Sequence, residues 1–234
     1  MTNGNLVRLA LLRGTILSLL AITGVTGCGD DKPAQGGSTE PSLSFFVTSV
    51  GTGSIGGNLG GLARADEMCQ NLAAAVGAGS RTWHAYLSTS SEDARDRIGT
   101  GPWYNVRFQE IAADVEALHR DEIPRLLGGV EEDPTAEGLL IDENGELVPL
   151  AEHDIVTGST AAGTVSEGRT CRDWTSASEN DVAQVGHSDI APAGFEIEGV
   201  DIQSWNSAHD TVSCTEPGLA ERRGAGRFYC FAID

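Results

Sequence analysis

The chain has 234 residues, with 34 acidic against 15 basic side chains and a formal charge of −19. That imbalance argues against DNA, RNA, heparin-like polymers and bare anionic membranes as partners, because phosphate binding depends on clustered Lys and Arg. Thirty glycines point to many loops rather than long regular elements.

The first 27 residues have the three parts of an export signal. Arg8 and Arg13 supply positive charge, and no acid precedes Cys28. The apolar run from Thr15 to Val25 is too short for a bilayer, which needs about 20 apolar residues. Val25-Thr26-Gly27-Cys28 closes the run with small residues before a cysteine, which reads as a lipoprotein cleavage site with Cys28 as the lipid acceptor. Gly29, rather than Asp, follows, so the outer membrane is the expected destination, with the domain facing the periplasm or the surface. Removing the signal takes away two basic residues and no acid, leaving 13 against 34 and a formal charge of −21. Residues 28–42 hold the lipidated cysteine and a Gly-, Ser-, Pro- and Asp-rich stretch with almost nothing apolar, read as a flexible tether. Residues 43–234, about 190 in all, suit one domain able to bury most of its apolar surface.

Ser42 to Val50, rich in Phe, Val and Thr, predicts a strand. Leu62, Ala65, Cys69, Leu72, Ala73 and Val76 then fall on one face of a helix ended by Gly77 and Gly79. Trp83, Ala85 and Leu87 alternate with more polar neighbours, the period of a half-buried strand. Ser90 or Ser91 caps a short predicted helix over Glu92 to Ile98, and Ile111, Val115 and Leu118 share one face of a second helical pattern. Asn144-Gly145 between Leu139-Leu140-Ile141 and Leu147-Val148 predicts a two-residue hairpin. From Glu152 the chain reads as loops and short strands ending in Phe228-Tyr229-Cys230-Phe231. Early helices followed by short mixed or antiparallel strands and long loops describe an α+β domain.

Cys28 aside, Cys69, Cys171, Cys214 and Cys230 form an even set, as expected in an oxidising compartment. No two of them have the close spacing of a zinc knuckle, so disulfides are expected. Four cysteines allow three pairings, and spacing does not choose among them.

Gly57-Asn-Leu-Gly-Gly-Leu62 through Ala65-Asp66, Cys69-Gln70, Thr82-Trp83 and Ala85-Tyr-Leu-Ser88 resembles the opening of the endostatin domain, and is closer still to bacterial endostatin-like lipoproteins. Gly101-Pro-Trp103, Ile111-Ala112, Thr157-Gly158, Cys171 with Trp174-Thr175, and Tyr229-Cys-Phe231 extend the likeness over roughly residues 43 to 234. The resemblance implies a C-type-lectin-like fold with nested disulfides, Cys69 to Cys230 and Cys171 to Cys214, each contributing roughly 3–5 kcal/mol. Val156 stands where the family usually has Trp. The basic face of endostatin's heparin binding and the histidines of its zinc site, near the domain's start, have no counterpart, since no His lies between Cys28 and Cys69.

Gly51-Thr-Gly-Ser-Ile-Gly56 matches a dinucleotide-binding pattern, but the βαβ unit and the ribose-binding acid it needs are not evident, so a turn is expected. His84, His119, His153, His187 and His209 are far apart with no helical pair, so the sequence supports no metal site and no cofactor. The acidic knots at Glu131-Glu-Asp133 and Asp142-Glu143 lack the spacing of a calcium loop. No nucleophile elbow or lone-cysteine arrangement marks a catalytic residue. Trp103, Tyr104 and Trp205 are candidates for a ligand face, although core packing explains Trp equally well. Trp205-Asn206 faintly resembles the calcium-binding strand of sugar-binding lectins, but Ser207 stands where Asp would be. The expectation is a lipid-anchored envelope protein acting as a non-enzymatic, adhesin-like binding module for a protein or glycan, with a polysaccharide hydrolase or a structural envelope component as alternatives. Mass spectrometry of the mature amino terminus is expected to find a diacylglyceryl-modified Cys28, and an uncut, unmodified Met1 terminus would refute the anchor.

Overall fold

The computed structural model describes residues 41–120, 141–189 and 204–234, all within one unit, Thr39–Asp234. The signal segment, Cys28, most of the tether, Leu139-Leu140 and the acidic knot at 131–133 lie outside the described residues. Among the described residues, no helix is long and apolar enough to cross a membrane.

The strand expected near Ser42 to Val50 forms as β1 (Phe45–Val47), followed by α1 (Leu62–Ala75) and β2 (Trp83–Ala85). The carboxyl-terminal run Tyr229–Ala232 forms β8, which lies between β1 and β2 and pairs antiparallel with both. Side chains alternate across a strand, so this sheet separates two cores. Phe46, Trp83, Ala85 and Cys230 pack on the α1 side with Leu59, Ala65, Cys69 and Trp174. Phe45, Tyr86, Tyr229 and Phe231 pack on the other side with Trp103, Ile111, Leu118 and Trp205. All four residues of β8 are buried.

The two disulfides follow the nested pairing that the resemblance implies. Cys69–Cys230 ties the buried face of α1 to the central strand, and Cys171–Cys214 lies within that span in sequence. Cys171 opens a turn, Cys171–Trp174, in which four successive non-glycine residues have φ between 47° and 64°. Left-handed backbone costs about 1–2 kcal/mol per L-residue. Here it is held by the disulfide, by the Trp174 indole donating to Ser88 O at 2.8 Å, and by Asp173 accepting from Ser90.

Two local expectations fail. The helix expected over Glu92 to Ile98 is only a 3₁₀ turn, Ala94–Asp96. The face shared by Ile111, Val115 and Leu118 belongs to two elements. Ile111 is in β4 (Glu110–Ala112), paired with β3 (Trp103–Tyr104), and only α2 (Val115–Leu118) is helical, capped by Asp114. Tertiary pairing overrides the local period there, because Ile111 and Leu118 enter the same core. Asn144-Gly145 does form a tight reversal, with Gly145 at φ 84° and an Ile141–Leu147 bridge. The glycine-rich Gly51–Gly56 segment is a 3₁₀ turn after an antiparallel strand, so the phosphate-cradling geometry is missing. The described residues thus form an α+β domain of small antiparallel sheets.

The third sheet, ordered β5 (Asp154–Val156), β6 (Gln184–His187) and β7 (His209–Asp210), is antiparallel throughout. Gly186 in β6 lies against the backbone of Trp205, where an added Cβ would meet Trp205 O at 1.8 Å and its carbonyl carbon at 2.1 Å. Neither strand can yield, because Tyr229 Oη donates to Trp205 O and Ala208 N to Val185 O. Gly186→Ala should therefore destabilise the protein by about 3 kcal/mol or more, measured by urea unfolding; a change under 1 kcal/mol would contradict this packing.

Candidate metal centre

The register of the third sheet gathers residues that the sequence keeps apart. Asp154 in β5 lies directly opposite His187 in β6, so their side chains share a face. His209 in β7 lies opposite Val185, two residues before His187 and therefore on that same face. His153, at the end of a 3₁₀ turn (Leu150–Glu152), immediately precedes β5.

The Asp154 carboxylate is the centre of the cluster. His153 Nε2 is 3.2 Å and His187 Nε2 3.4 Å from its Oδ1, and His209 Nε2 is 3.5 Å from its Oδ2. His187 Nε2 and His209 Nε2 are 3.1 Å apart. A tetrahedral ion with bonds of about 2.0–2.1 Å has ligand atoms separated by about 3.3–3.4 Å. The Asp154–His153 and Asp154–His187 separations lie close to that edge length. One donor atom each from His153, Asp154 and His187 lies within 4.8 Å of the others, close enough for one ion.

The far side of the site supports the same reading. His153 Nδ1 is 2.7 Å from Asp189 Oδ1, and His209 Nδ1 is 3.0 Å from Asp210 O. A carboxylate or carbonyl on Nδ1 assigns the proton there and leaves the Nε2 lone pair free to ligate, the usual outer arrangement of a metal-bound histidine. His153, His187 and His209 rings pack on one another, with centroids 4.8 and 5.0 Å apart.

Asp154 is the anomaly that needs explaining. Its side chain is 2 % exposed, and neither oxygen has an aligned hydrogen-bond donor. The neighbouring ring nitrogens are close but not aligned for hydrogen bonds to it. Burial pushes its pKa up to about 7, with Asp189 adding to the rise and His153 opposing it. Burial works against a charged His153, yet the bond and charge of Asp189 hold that ring's pKa above the ordinary value; His209 is lowered, chiefly by burial. A buried carboxylate lacking donors costs several kcal/mol unless a cation meets it. A donor set of imidazoles and one carboxylate suits zinc and its d-block neighbours rather than calcium or magnesium, which favour all-oxygen shells.

The sequence supports no metal site, yet in the fold three of the five histidines converge on Asp154. His84 and His119 do not join them. His84 Nδ1 meets Arg97 O at 2.8 Å, and His119 bridges Tyr86 Oη and Val115 O. The aromatic ligand face is also corrected. Trp103 and Trp205 are 1 % and 5 % exposed in the second core, and Tyr104 alone reaches the surface side of β3, bonded to Glu110. Their large apolar area explains their burial. The only local hint of the site is the His153-Asp154 pair; the other ligands follow 33 and 55 residues after Asp154, and only strand register joins them. Comparison with family models and with curated proteins gives no match.

Asp154→Asn removes the buried charge and supplies amide donors to the ring nitrogens. In metal-free protein it should raise stability by about 1–3 kcal/mol while weakening metal binding by at least about 100-fold. Because the folded-state pKa of Asp154 is raised, its penalty is absent below the unfolded value and grows as pH rises toward and through 7. The stabilisation by Asp154→Asn should accordingly be larger at pH 8 than at pH 5 in chelator-treated samples; an equal or reversed difference would contradict the assignment.

Proposed function

We propose that the protein is a lipid-anchored module of a bacterial envelope, with an endostatin-like, C-type-lectin-like domain that binds rather than catalyses. Its proposed ligand is a divalent d-block ion of the zinc class, held by His153, Asp154 and His187, with His209 beside them. One observation carries this reading: a buried carboxylate with no aligned hydrogen-bond donor has imidazole nitrogens of three histidines 3.2, 3.4 and 3.5 Å from its oxygens. His153, Asp154 and His187 offer donor atoms within 4.8 Å of one another, and His209 stands beside Asp154 and His187.

The scaffold supports a site formed before the ion arrives. Asp154 N donates to Arg223 O, His187 N to Ser204 O, and Ser188 N to His153 O, so the ligand-bearing backbone is fixed by bonds that do not involve the ion. The outer acceptors on His153 and His209 fix ring orientation. A preorganised site loses little entropy on binding, which suits a module that takes up and holds an ion outside the cytoplasm.

Protein stripped with chelator and then dialysed against zinc should retain one ion per chain by elemental analysis. At free zinc 100-fold above Kd the fold should gain about 2.7 kcal/mol, seen as a rise in Tm, and His187→Ala should abolish both effects. Absence of retained metal together with an unchanged Tm would overturn the proposal.

A further inference from the structure

We infer that the groove at the start of the folded domain, with the exposed Phe108 ring on its rim, is a contact surface for a zwitterionic phospholipid bilayer. The inference rests on the lipid-anchored reading above and adds to it which face of the domain meets the membrane.

One aromatic ring departs from the burial of the rest. Eight of the described Phe and Trp residues are at most 5 % exposed, whereas Phe108 is 59 % exposed. Its backbone is also unusual, with φ at 60°, in the left-handed region that a bulky residue rarely adopts. The turn that carries it is built around a buried side chain. Asn105 Oδ1 accepts from Arg107 N at 2.9 Å and from Gln109 N at 3.0 Å, and Asn105 O accepts from Phe108 N at 3.0 Å. Strain of this kind persists only where surrounding bonds over-determine it, and it clusters where function needs a fixed presentation. Here those bonds hold an apolar ring out in water.

The ring borders a groove of about 590 Å³ whose other apolar walls are Leu43, Val76, Ala78 and Val106. Among the described residues no acid lines this groove, although the chain holds 34 acids against 15 basic residues. Its one charged side chain, Arg81, is paired with Asp234 at 3.3 Å. A second groove, beside Leu219, is lined by Glu152 and Glu216 instead. Exposed apolar patches mark partner or membrane contacts. An acid-free apolar face on a strongly acidic protein suits a neutral, zwitterionic surface, since an anionic one is repelled by the rest of the chain.

The path of the chain favours the membrane over a protein. Pro41 and Ser42, the first described residues, line the same groove. Arg81 Nη1 donates to Ser42 Oγ and Leu43 O, each at 3.5 Å, and Ser44 N donates to Tyr104 O, one residue before Asn105, at 2.9 Å. The point where the tether joins the domain and the Phe108 turn thus share one frame. Twelve residues separate Cys28 from Pro41, a link of at most about 45 Å. Tethering at that range gives an effective concentration on the order of millimolar. One ring and a shallow apolar groove, too weak to bind a bilayer alone, then suffice for contact.

The mature, lipidated full chain carrying Phe108→Trp, reconstituted into phosphatidylethanolamine–phosphatidylcholine vesicles, gives a direct readout, because the four native indoles are at most 5 % exposed. The added emission should shift to the blue and fall at least about 2-fold when the acyl chains are brominated near the headgroup. Leu150→Trp, at a residue 68 % exposed and outside the groove, should keep its emission. Adding Val106→Asp to Phe108→Trp should restore at least about half of the lost emission, since a charge on an interfacial apolar face weakens insertion. Equal quenching of the Phe108→Trp and Leu150→Trp variants, or quenching indifferent to Val106→Asp, would overturn the inference. An unquenched Phe108→Trp variant in chains that float with the vesicles would give the groove to another occupant, such as a protein, and overturn the membrane contact while leaving the anchor intact. Chains that do not float with the vesicles would overturn both.

Discussion

The central strand Tyr229–Ala232 is paired along both edges and buried on both faces, and it is disulfide-bonded to α1 through Cys230. Each side chain of this strand enters one of two cores, Cys230 with the α1 core and Tyr229 with Phe231 in the aromatic core. A one-residue slip would exchange those two sets and separate Cys230 from Cys69. The register of the rest follows from this constraint, because Tyr229 Oη fixes Trp205 and Trp205 in turn abuts Gly186 in β6. The chain of contacts runs from the buried central strand to the sheet that carries the candidate metal centre.

That sheet is built with an unresolved electrostatic debt at one point. Elsewhere, buried acids are satisfied. Asp66 accepts from Arg97 and Ala85 N, and Glu143 accepts from Ser49 through both its backbone and its hydroxyl. Asp154 is different, since it is buried and neither of its oxygens has an aligned hydrogen-bond donor. A sequence shaped only for stability would place an apolar residue or a donor there. The outer bonds from Asp189 and Asp210 O point the imidazoles inward, which worsens the metal-free electrostatics and improves the site for a cation.

The left-handed turn Cys171–Trp174 shows the same economy of local strain held by tertiary contacts. Trp174 fills the space beside Gly158, where a Cβ would meet its ring at 2.8 Å. This indole occupies the α1-side core near Val156, which has only a short side chain where the resembling family usually carries Trp. The inner disulfide to Cys214 and the Thr170 cap to Asp173 N hold the turn in place.

Local chemistry in the sequence determined much of the frame. The apolar face of Leu62 to Val76 specified α1, Asn144-Gly145 specified a reversal with positive φ, and the apolar run before Asp234 specified a buried terminal strand. Even cysteines specified disulfides, while their pairing came only through resemblance. These features were legible because each depends on residues within a few positions of one another. The helical period of Ile111, Val115 and Leu118 misled because pairing of β3 with β4 outweighed the local preference. The Trp face misled because indoles serve cores and interfaces equally well, and only burial tells them apart. The candidate metal centre was beyond reading: His153-Asp154, His187 and His209 bear no spacing rule to one another. Antiparallel register alone decides that Asp154, His187 and His209 meet on one face, because side-chain direction in a strand is a property of pairing rather than of sequence distance.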